Sequence, residues 1–393
     1  MSKEELGKFY DDITLIDKNE FFKIFEAKNI KENRQCCLKI IDKEILEKYA
    51  DLNKFIENEV NITKRCNSEN TINFYGKKES IKSIIFEFDK YGDDLSKHLQ
   101  ENESFKDEED KKFFKQIIRD LTKGLKAIHE KGVIHRNIQP SSIFKIEIEE
   151  EEEKEEEEKE EKKEKEKKEK EKEKEKEKEK KIKIGEFGNA ILKKENKFEK
   201  IGSPFYAAPE IILNKEYDEK CDLWSLGITL YESYFEHFPY GENVDENIIM
   251  NTLNDYYNGK GFIFEKTGKA SLDILFNCLL QIEPDKRIST NELYNLVFDE
   301  DFLENDKKFL DKKEKYKNIY NAISKEVCDE KKFKSEEIKE VNNKTNREKQ
   351  NCKNIVPFVL HLTNIMDFSN DRVNNGGNNN DNTNTNANTN SNL

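Results

Sequence analysis

The sequence predicts an α+β fold in two lobes, a small β-rich lobe with one long helix followed by a larger helical lobe. Three observations carry this. The first 90 residues alternate short β-branched and aromatic runs with turns and hold a single helical stretch. After Gly92 the apolar residues recur at helical spacing, and they do so to about residue 297. The charge that makes the 393-residue chain look too polar to fold, 39% charged against 34% hydrophobic, sits mostly in segments outside those patterns.

The β-rich part opens with Ile13-Thr14-Leu15-Ile16, a turn at Asp17-Lys18-Asn19-Glu20, and a second strand from Phe21 to Ala27. A third strand, Cys36-Cys37-Leu38-Lys39-Ile40-Ile41, reads as buried but for one lysine. Residues 44–66 read as the long helix, with Ile56, Val60 and Thr63 on one side and Glu59 among them. Strands around Phe74–Lys77 and Ile81–Phe88 complete this part. Residues 106–131 then place Phe113, Phe114, Ile117, Ile118, Leu121, Leu125 and Ile128 at helical spacing and stop at Lys131-Gly132. Two short apolar runs follow, Ile143–Ile148 and Ile182–Ile184, and helical patterns return at 207–215, 219–235, 246–257, 270–281 and 290–297.

Composition excludes several classes. Residues 149–181 contain only Glu (19) and Lys (14); without them 360 residues remain, about 34% charged, enough for one sizeable core in two lobes. No stretch approaches 18 apolar residues, so no membrane segment is expected. Met1-Ser2-Lys3-Glu4-Glu5-Leu6 has no apolar signal region and no myristoylation glycine. A net charge of -14 argues against nucleic acid as a partner. Seven cysteines without a C-x-x-C pair read as reduced thiols of a cytoplasmic or otherwise intracellular chain, the nucleus included.

Between the lobes lies Val133-Ile134-His135-Arg136-Asn137-Ile138-Gln139-Pro140-Ser141-Ser142-Ile143-Phe144. Downstream come Lys183-Ile184-Gly185-Glu186-Phe187-Gly188, Gly202-Ser203-Pro204-Phe205-Tyr206-Ala207-Ala208-Pro209-Glu210, Asp222-Leu223-Trp224-Ser225-Leu226-Gly227 and Pro284-Asp285-Lys286-Arg287. Each alone is weak. In this order and spacing they resemble the eukaryotic protein kinase family, its Ser/Thr more than its Tyr branch, over about residues 8–305. The resemblance implies a small lobe at about 8–90 and a large lobe at about 91–305, with the Glu/Lys insert at 149–181.

The resemblance also implies a parts list, and phosphoryl transfer needs those parts for positioning and charge neutralisation. The catalytic base position is Asn137, whose amide is no useful proton acceptor. The neighbouring lysine of that loop is Gln139. The metal positions carry Ser142, a weak Mg²⁺ ligand, and Glu186, one methylene longer than aspartate. The three glycine positions of the phosphate loop fall on Asp17, Asn19 and Phe22, with Asp17 and Glu20 placing carboxylates where a triphosphate would lie. Lys39 matches the phosphate-binding lysine and Glu59 its ion-pair partner; the pair reads either as a surviving nucleotide site or as a bond docking the helix on the sheet. The nucleotide slot would be lined by Ile24, Cys37, Glu87 and Phe144, with Phe86 at its back.

Other matches concern the fold. Glu210 and Arg287 match a buried pair, Asp222 a residue bracing the catalytic loop, and Trp224 reads as core. Phe187, His135 and Phe74 match three members of a regulatory stack whose fourth position is the polar Thr63. Arg136 is kept, yet residues 187–202 contain no Ser, Thr or Tyr to be phosphorylated opposite it, and Ser203 matches a structural hydroxyl.

The insert would sit between two paired strands, where a loop is cheap. Pairs such as Glu150/Lys154, Glu155/Lys159 and Glu158/Lys162 favour helix, the later alternation does not, and the segment reads as a charged, coiled-coil-like spacer or an electrostatic arm. Residues 306–373 form a charged extension read as exposed helix or tail, with an apolar island at Asn354–Leu362. Residues 374–393, Asn in 11 of 20, read as disordered and of low complexity. The function expected is a catalytically impaired kinase-like protein, a pseudokinase, binding or scaffolding protein partners in intracellular signalling. No cofactor is required by that reading. The alternative is a Ser/Thr protein kinase with an atypical, weak site, which requires ATP and Mg²⁺. Nothing in the sequence sets an oligomeric state.

Overall fold

The computed structural model describes residues 6–90, 92–101, 108–147, 180–195, 201–241, 244–256 and 265–312. Five antiparallel strands form one sheet in the order β1-β2-β3-β5-β4: Tyr10–Lys18, Phe22–Asn29, Arg34–Asp42, Phe74–Glu79 (β4) and Ser83–Asp89 (β5). Both faces of β3 are buried, which explains its nearly unbroken apolar run. Cys36, Leu38 and Ile40 cluster with Tyr10, Ala27 and Ile85, while Cys37 and Ile41 cluster with Phe22, Ile24 and Phe144.

The first turn differs from expectation. Strand β1 runs on through Lys18, whose partner is Lys23, so the turn is Asn19 to Phe21. Asn19 sets it: Oδ1 accepts the N–H groups of both Phe21 and Phe22, and the Asn19 N–H donates to the Phe22 carbonyl. The Phe21 ring meets Tyr49 edge-on, with centroids 5.5 Å apart. Tyr49 breaks the expected single helix of 44–66 into α1 (Lys43–Lys48) and α2 (Ala50–Arg65), leaving helical geometry at φ -126° and ψ 84° where its ring packs on the hairpin tip.

The large lobe contains α3 (Leu95–Glu101), α4 (Glu108–Glu130), α5 (Pro209–Ile212), α6 (Lys220–Phe235), α7 (Glu246–Asp255), α8 (Ala270–Leu279), α9 (Thr290–Val297) and α10 (Asp306–Asp311). Helix α4 buries Phe114, Ile117, Ile118, Leu121, Leu125 and Ile128, the stripe read from the sequence. The pattern at 207–215 yields only the four residues of α5, because Asn214 turns left-handed at φ +55°. Two short pairings join the loops, β6 (Val133–Ile134) with β9 (Ile191–Leu192) and β7 (Ile143–Glu147) with β8 (Lys180–Ile184). Glu147 faces Lys180, so the Glu/Lys insert leaves from the end of a paired hairpin; its residues 149–179 lie outside the described residues.

The packed body continues past residue 305. Phe309 on α10 is buried with its ring 4.9 Å from Phe302, and Lys312 bonds Asp299. The remaining extension, the apolar island at 354–362 and the Asn-rich stretch lie outside the described residues. The lobes are stitched through β8: Ile184 accepts from the Ile72 N–H and donates to the Asn70 carbonyl, and Asn70 Nδ2 donates to Ile182. Gly124 on α4 permits this approach, since a Cβ there would stand 2.6 Å from the Asn70 carbonyl oxygen. Among the described residues no helix is long and apolar enough to cross a membrane.

Candidate functional site

The ion pair foreseen on β3 and α2 is formed. Lys39 Nζ lies 3.0 and 2.9 Å from the two Glu59 oxygens, and both residues are only 3% exposed. Burial alone would lower the Lys39 pKa; the Glu59 and Glu186 carboxylates outweigh it and hold the pKa above its usual value. The Phe22 ring covers another side, its centroid 4.7 Å from Nζ. Asn58, beside Glu59 and not singled out from the sequence, donates to the Gly188 and Ala190 carbonyls at 3.1 and 2.8 Å. Phe55 lies against Gly188, where a Cβ would come within 1.9 Å of its ring. Helix α2 is thereby fastened to the segment that follows Glu186.

The loop at 135–142 hangs on Asp222, which is fully buried. Its carboxylate accepts the His135 and Arg136 N–H groups and His129 Nε2–H, all at 2.8 Å. Burial would raise the Asp222 carboxyl, but the His129 bond and the neighbouring imidazoles hold it below the usual range. His135 is neutral in character: burial lowers its pKa against the pull of Asp222. Its Nε2–H donates to the Gly185 carbonyl at 2.8 Å while Nδ1 accepts the Asn137 N–H at 3.3 Å. Arg136, at φ +64°, spends its guanidinium on the Asn189 carbonyl and the Tyr217 hydroxyl.

The positions assigned to base and metal are occupied by groups with other work. The Asn137 Oδ1 is buried beside Gly202 without a hydrogen-bond partner among the described residues. The Ser142 hydroxyl accepts the Gln139 N–H and donates to the Gln139 carbonyl, closing a 3-10 turn with Pro140. Glu186, left-handed at φ +60°, has its pKa raised to about 7, first by burial and then by Glu59, Asp94 and Asp17, with Lys39 opposing. A nucleotide-bound Mg²⁺ in this fold draws a carboxylate and an amide oxygen from these two positions. Here a hydroxyl already bonded to Gln139 stands in place of the amide, Glu186 is the one carboxylate at the two positions, and its raised pKa weakens it as an anion, so the residues present do not fit that ion.

The slot side of the cleft is walled by buried apolar side chains. Ile24, Cys37 and Phe144 belong to one buried cluster with Phe22, Phe86 and Phe88. A Cβ on Gly185 would meet the Phe144 ring at 2.8 Å. A cavity of about 30 Å³ lies between Phe22, Lys39, Asn137, Gln139, Glu186 and Asn189. Glu87 does not line it with its side chain. It pairs across β3 with Leu38 and points to the opposite face, accepting from Tyr10, Asn29, Arg34 and Lys78. Strand alternation alone, with Cys37 and Lys39 inward, places Glu87 outward.

Of the stack, His135 and Phe187 meet edge-on at 4.9 Å. Phe74 packs on Phe88 at 5.3 Å, and the Thr63 hydroxyl donates back to the Glu59 carbonyl at 2.6 Å. The Glu210–Arg287 pair is buried, at 2.7 and 3.1 Å, and Arg287 also donates to Gln281, Lys220 and Ile282 carbonyls while lying 5.3 Å from the buried Trp224 ring. Among the described residues no group of three His, Cys, Asp or Glu side chains is arranged to hold a metal.

Comparison with known proteins agrees with this architecture. The family described as "Protein kinase domain" matches residues 10–298. The chain is 26% identical over 282 residues to Serine/threonine-protein kinase atg1 of Dictyostelium discoideum, covering 70% of this chain and 37% of that protein. It is 24% identical over 287 residues to the Carbon catabolite-derepressing protein kinase of Saccharomyces cerevisiae, covering 72% and 39%. Against CBL-interacting serine/threonine-protein kinase 12 of Arabidopsis thaliana the identity is 25% over 301 residues, covering 75% and 52%. The chain thus spans between a third and about half of the length of these curated relatives. A sheet of five antiparallel strands, a helical lobe, a braced loop between them and a match over most of the chain lead to one conclusion: this chain belongs to the protein kinase family.

Proposed function

We propose that this member of the family is a pseudokinase, a module that binds and positions protein partners inside the cell without transferring phosphate. One observation carries the reading. The residue at the base position is Asn137, an amide that cannot accept the proton of a substrate hydroxyl, and it stands in a loop whose Ser142 hydroxyl is turned onto the Gln139 backbone. The Glu210–Arg287 pair and the Asp222 brace support a lobe kept for its shape. The relatives are protein kinases by name, and the alternative for this chain is an ATP-dependent Ser/Thr kinase with an atypical site. The formed Lys39–Glu59 pair favours that alternative.

The experiment is a phosphotransfer assay with Mg·ATP and Mn·ATP on the full chain, using itself and generic Ser/Thr peptides as acceptors. No transfer above background is expected from the wild type. Transfer that disappears in Glu186→Gln overturns the pseudokinase reading.

A further inference from the structure

The third glycine position of the resemblance carries Phe22, and the structure turns that side chain inward. Phe22 is 6% exposed, shares the cluster of Leu52, Ile56 and Phe144, and lines the small cavity together with Lys39 and Glu186. An ammonium has three N–H donors. Both Glu59 oxygens lie within hydrogen-bond reach of Lys39, and the Phe22 ring covers the ammonium from 4.7 Å, inside the range of a cation–π contact.

We infer that Phe22 is a specificity-determining plug, whose ring takes the place of a ligand's phosphate groups over Lys39 and so keeps polyphosphates out of the cleft. The inference rests on the reading of the cleft given under Proposed function and names the element that closes it.

The backbone leaves the plug little freedom. The Phe22 N–H and carbonyl are both held by Asn19, Phe22 pairs with Ile41 across the sheet, and Phe21 beside it is anchored on Tyr49. With the pleat fixed by Ile24, two residues on and in the same cluster, the Phe22 side chain has only the inner face to occupy. A phosphate oxygen reaching Lys39 needs a heavy-atom distance of about 2.8 Å. The ring covers one side of the ammonium and Glu59 another, which leaves that approach only the small cavity lined by Glu186 and Asn189. A purely structural role for Phe22 would cost stability when it is replaced, without changing what reaches Lys39.

The test uses the full chain as wild type, Phe22→Gly and Phe22→Leu. Lys39 reactivity is read by peptide mass spectrometry after brief treatment with an amine-acylating ester, with and without millimolar inorganic tripolyphosphate or Mg·ATP. Phe22→Gly is expected to raise Lys39 labelling at least tenfold, and either polyphosphate to suppress that labelling. Phe22→Leu, which keeps an apolar side chain and loses the ring, is expected to raise labelling severalfold, and it decides the matter if the glycine variant does not fold. Labelling equal to the wild type in the folded variants, or increased labelling that no polyphosphate protects, overturns the plug. The wild type distinguishes this failure from that of the underlying reading. Protection of wild-type Lys39 by Mg·ATP means that the cleft is open with Phe22 in place, whereas an unprotected wild type leaves only the plug at stake.

Discussion

Lys39→Met is the perturbation whose size follows most directly from the geometry. The substitution keeps the length and apolar stem of the side chain and removes the one cation bonded to both Glu59 oxygens. Glu59 is left 3% exposed with its charge uncompensated, and Glu186 loses the neighbour that opposes its rise in pKa. Breaking a buried pair from one side costs about 3–5 kcal/mol. At about 2–4 °C per kcal/mol for a body of this size, the melting temperature should fall by about 10 °C. The double variant Lys39→Met/Glu59→Leu removes both charges and should recover most of the loss, because an apolar pair of similar volume serves a buried site about as well. Urea unfolding of the wild type, Lys39→Met, Glu59→Leu and the double variant, followed by far-UV circular dichroism and by the fluorescence of Trp224, the lone tryptophan, supplies the cycle. Two probes are needed because Trp224 reports the large lobe and Lys39 sits in the small one. A single-variant cost below about 1 kcal/mol, or no recovery in the double variant, would refute the claim that Lys39 is a sealed structural cation.

Other outcomes follow from the same contacts. The raised Glu186 pKa favours the fold while the carboxyl is protonated; that stabilisation is complete below about pH 4.5 and lost as pH rises through about 7. Glu186→Gln should therefore gain on the wild type by about 2–3 kcal/mol between pH 5 and pH 8 at about 1.4 kcal/mol per pH unit, measured by denaturant unfolding. Asn137→Asp places a carboxylate where a buried Oδ1 has no partner, so it should lower stability by at least about 1 kcal/mol and yield no phosphotransfer. Arg287→Met leaves the Glu210 charge unpaired in the core and removes a donor from three carbonyls, and should cost at least about 3–5 kcal/mol, with partial recovery by adding Glu210→Gln. Gly188→Ala should loosen α2, seen as faster amide exchange around Asn58, because the added methyl meets the Phe55 ring.

What was legible in the sequence depended on periodicity and on residue types with one structural use. The α4 stripe and the strands β7 and β8 around the insert lie where the pattern placed them, and the salt bridges of Lys39 and Arg287 lie where the family resemblance implied them. The misses have local causes. Tyr49 carries no helix-breaking signature, and it leaves the helix only because the Phe21 ring, 28 positions earlier, arrives beside it. The turn at 17–20 shifted because Asn19 bonds forward to two amides, which fixes the loop length in a way composition does not express. Ser142 is visible as a weak metal ligand, but its closure onto Gln139 depends on the 3-10 turn. Asn58 had no signal at all, since its partners are backbone carbonyls at 188 and 190. Glu87 was within reach, because period-2 alternation from Lys39 through the β3–β5 register turns it away from the slot.

Calorimetric titration of the wild-type chain with Mg·ATP measures most directly whether the cleft admits a nucleotide. A Lys39 covered by Phe22, an amide at the base position and a hydroxyl at the metal position predict no saturable heat up to millimolar nucleotide. Saturable, Mg²⁺-dependent binding with a Kd below about 1 mM, equivalent to about -4 kcal/mol, contradicts the account if it is lost in Lys39→Met/Glu59→Leu.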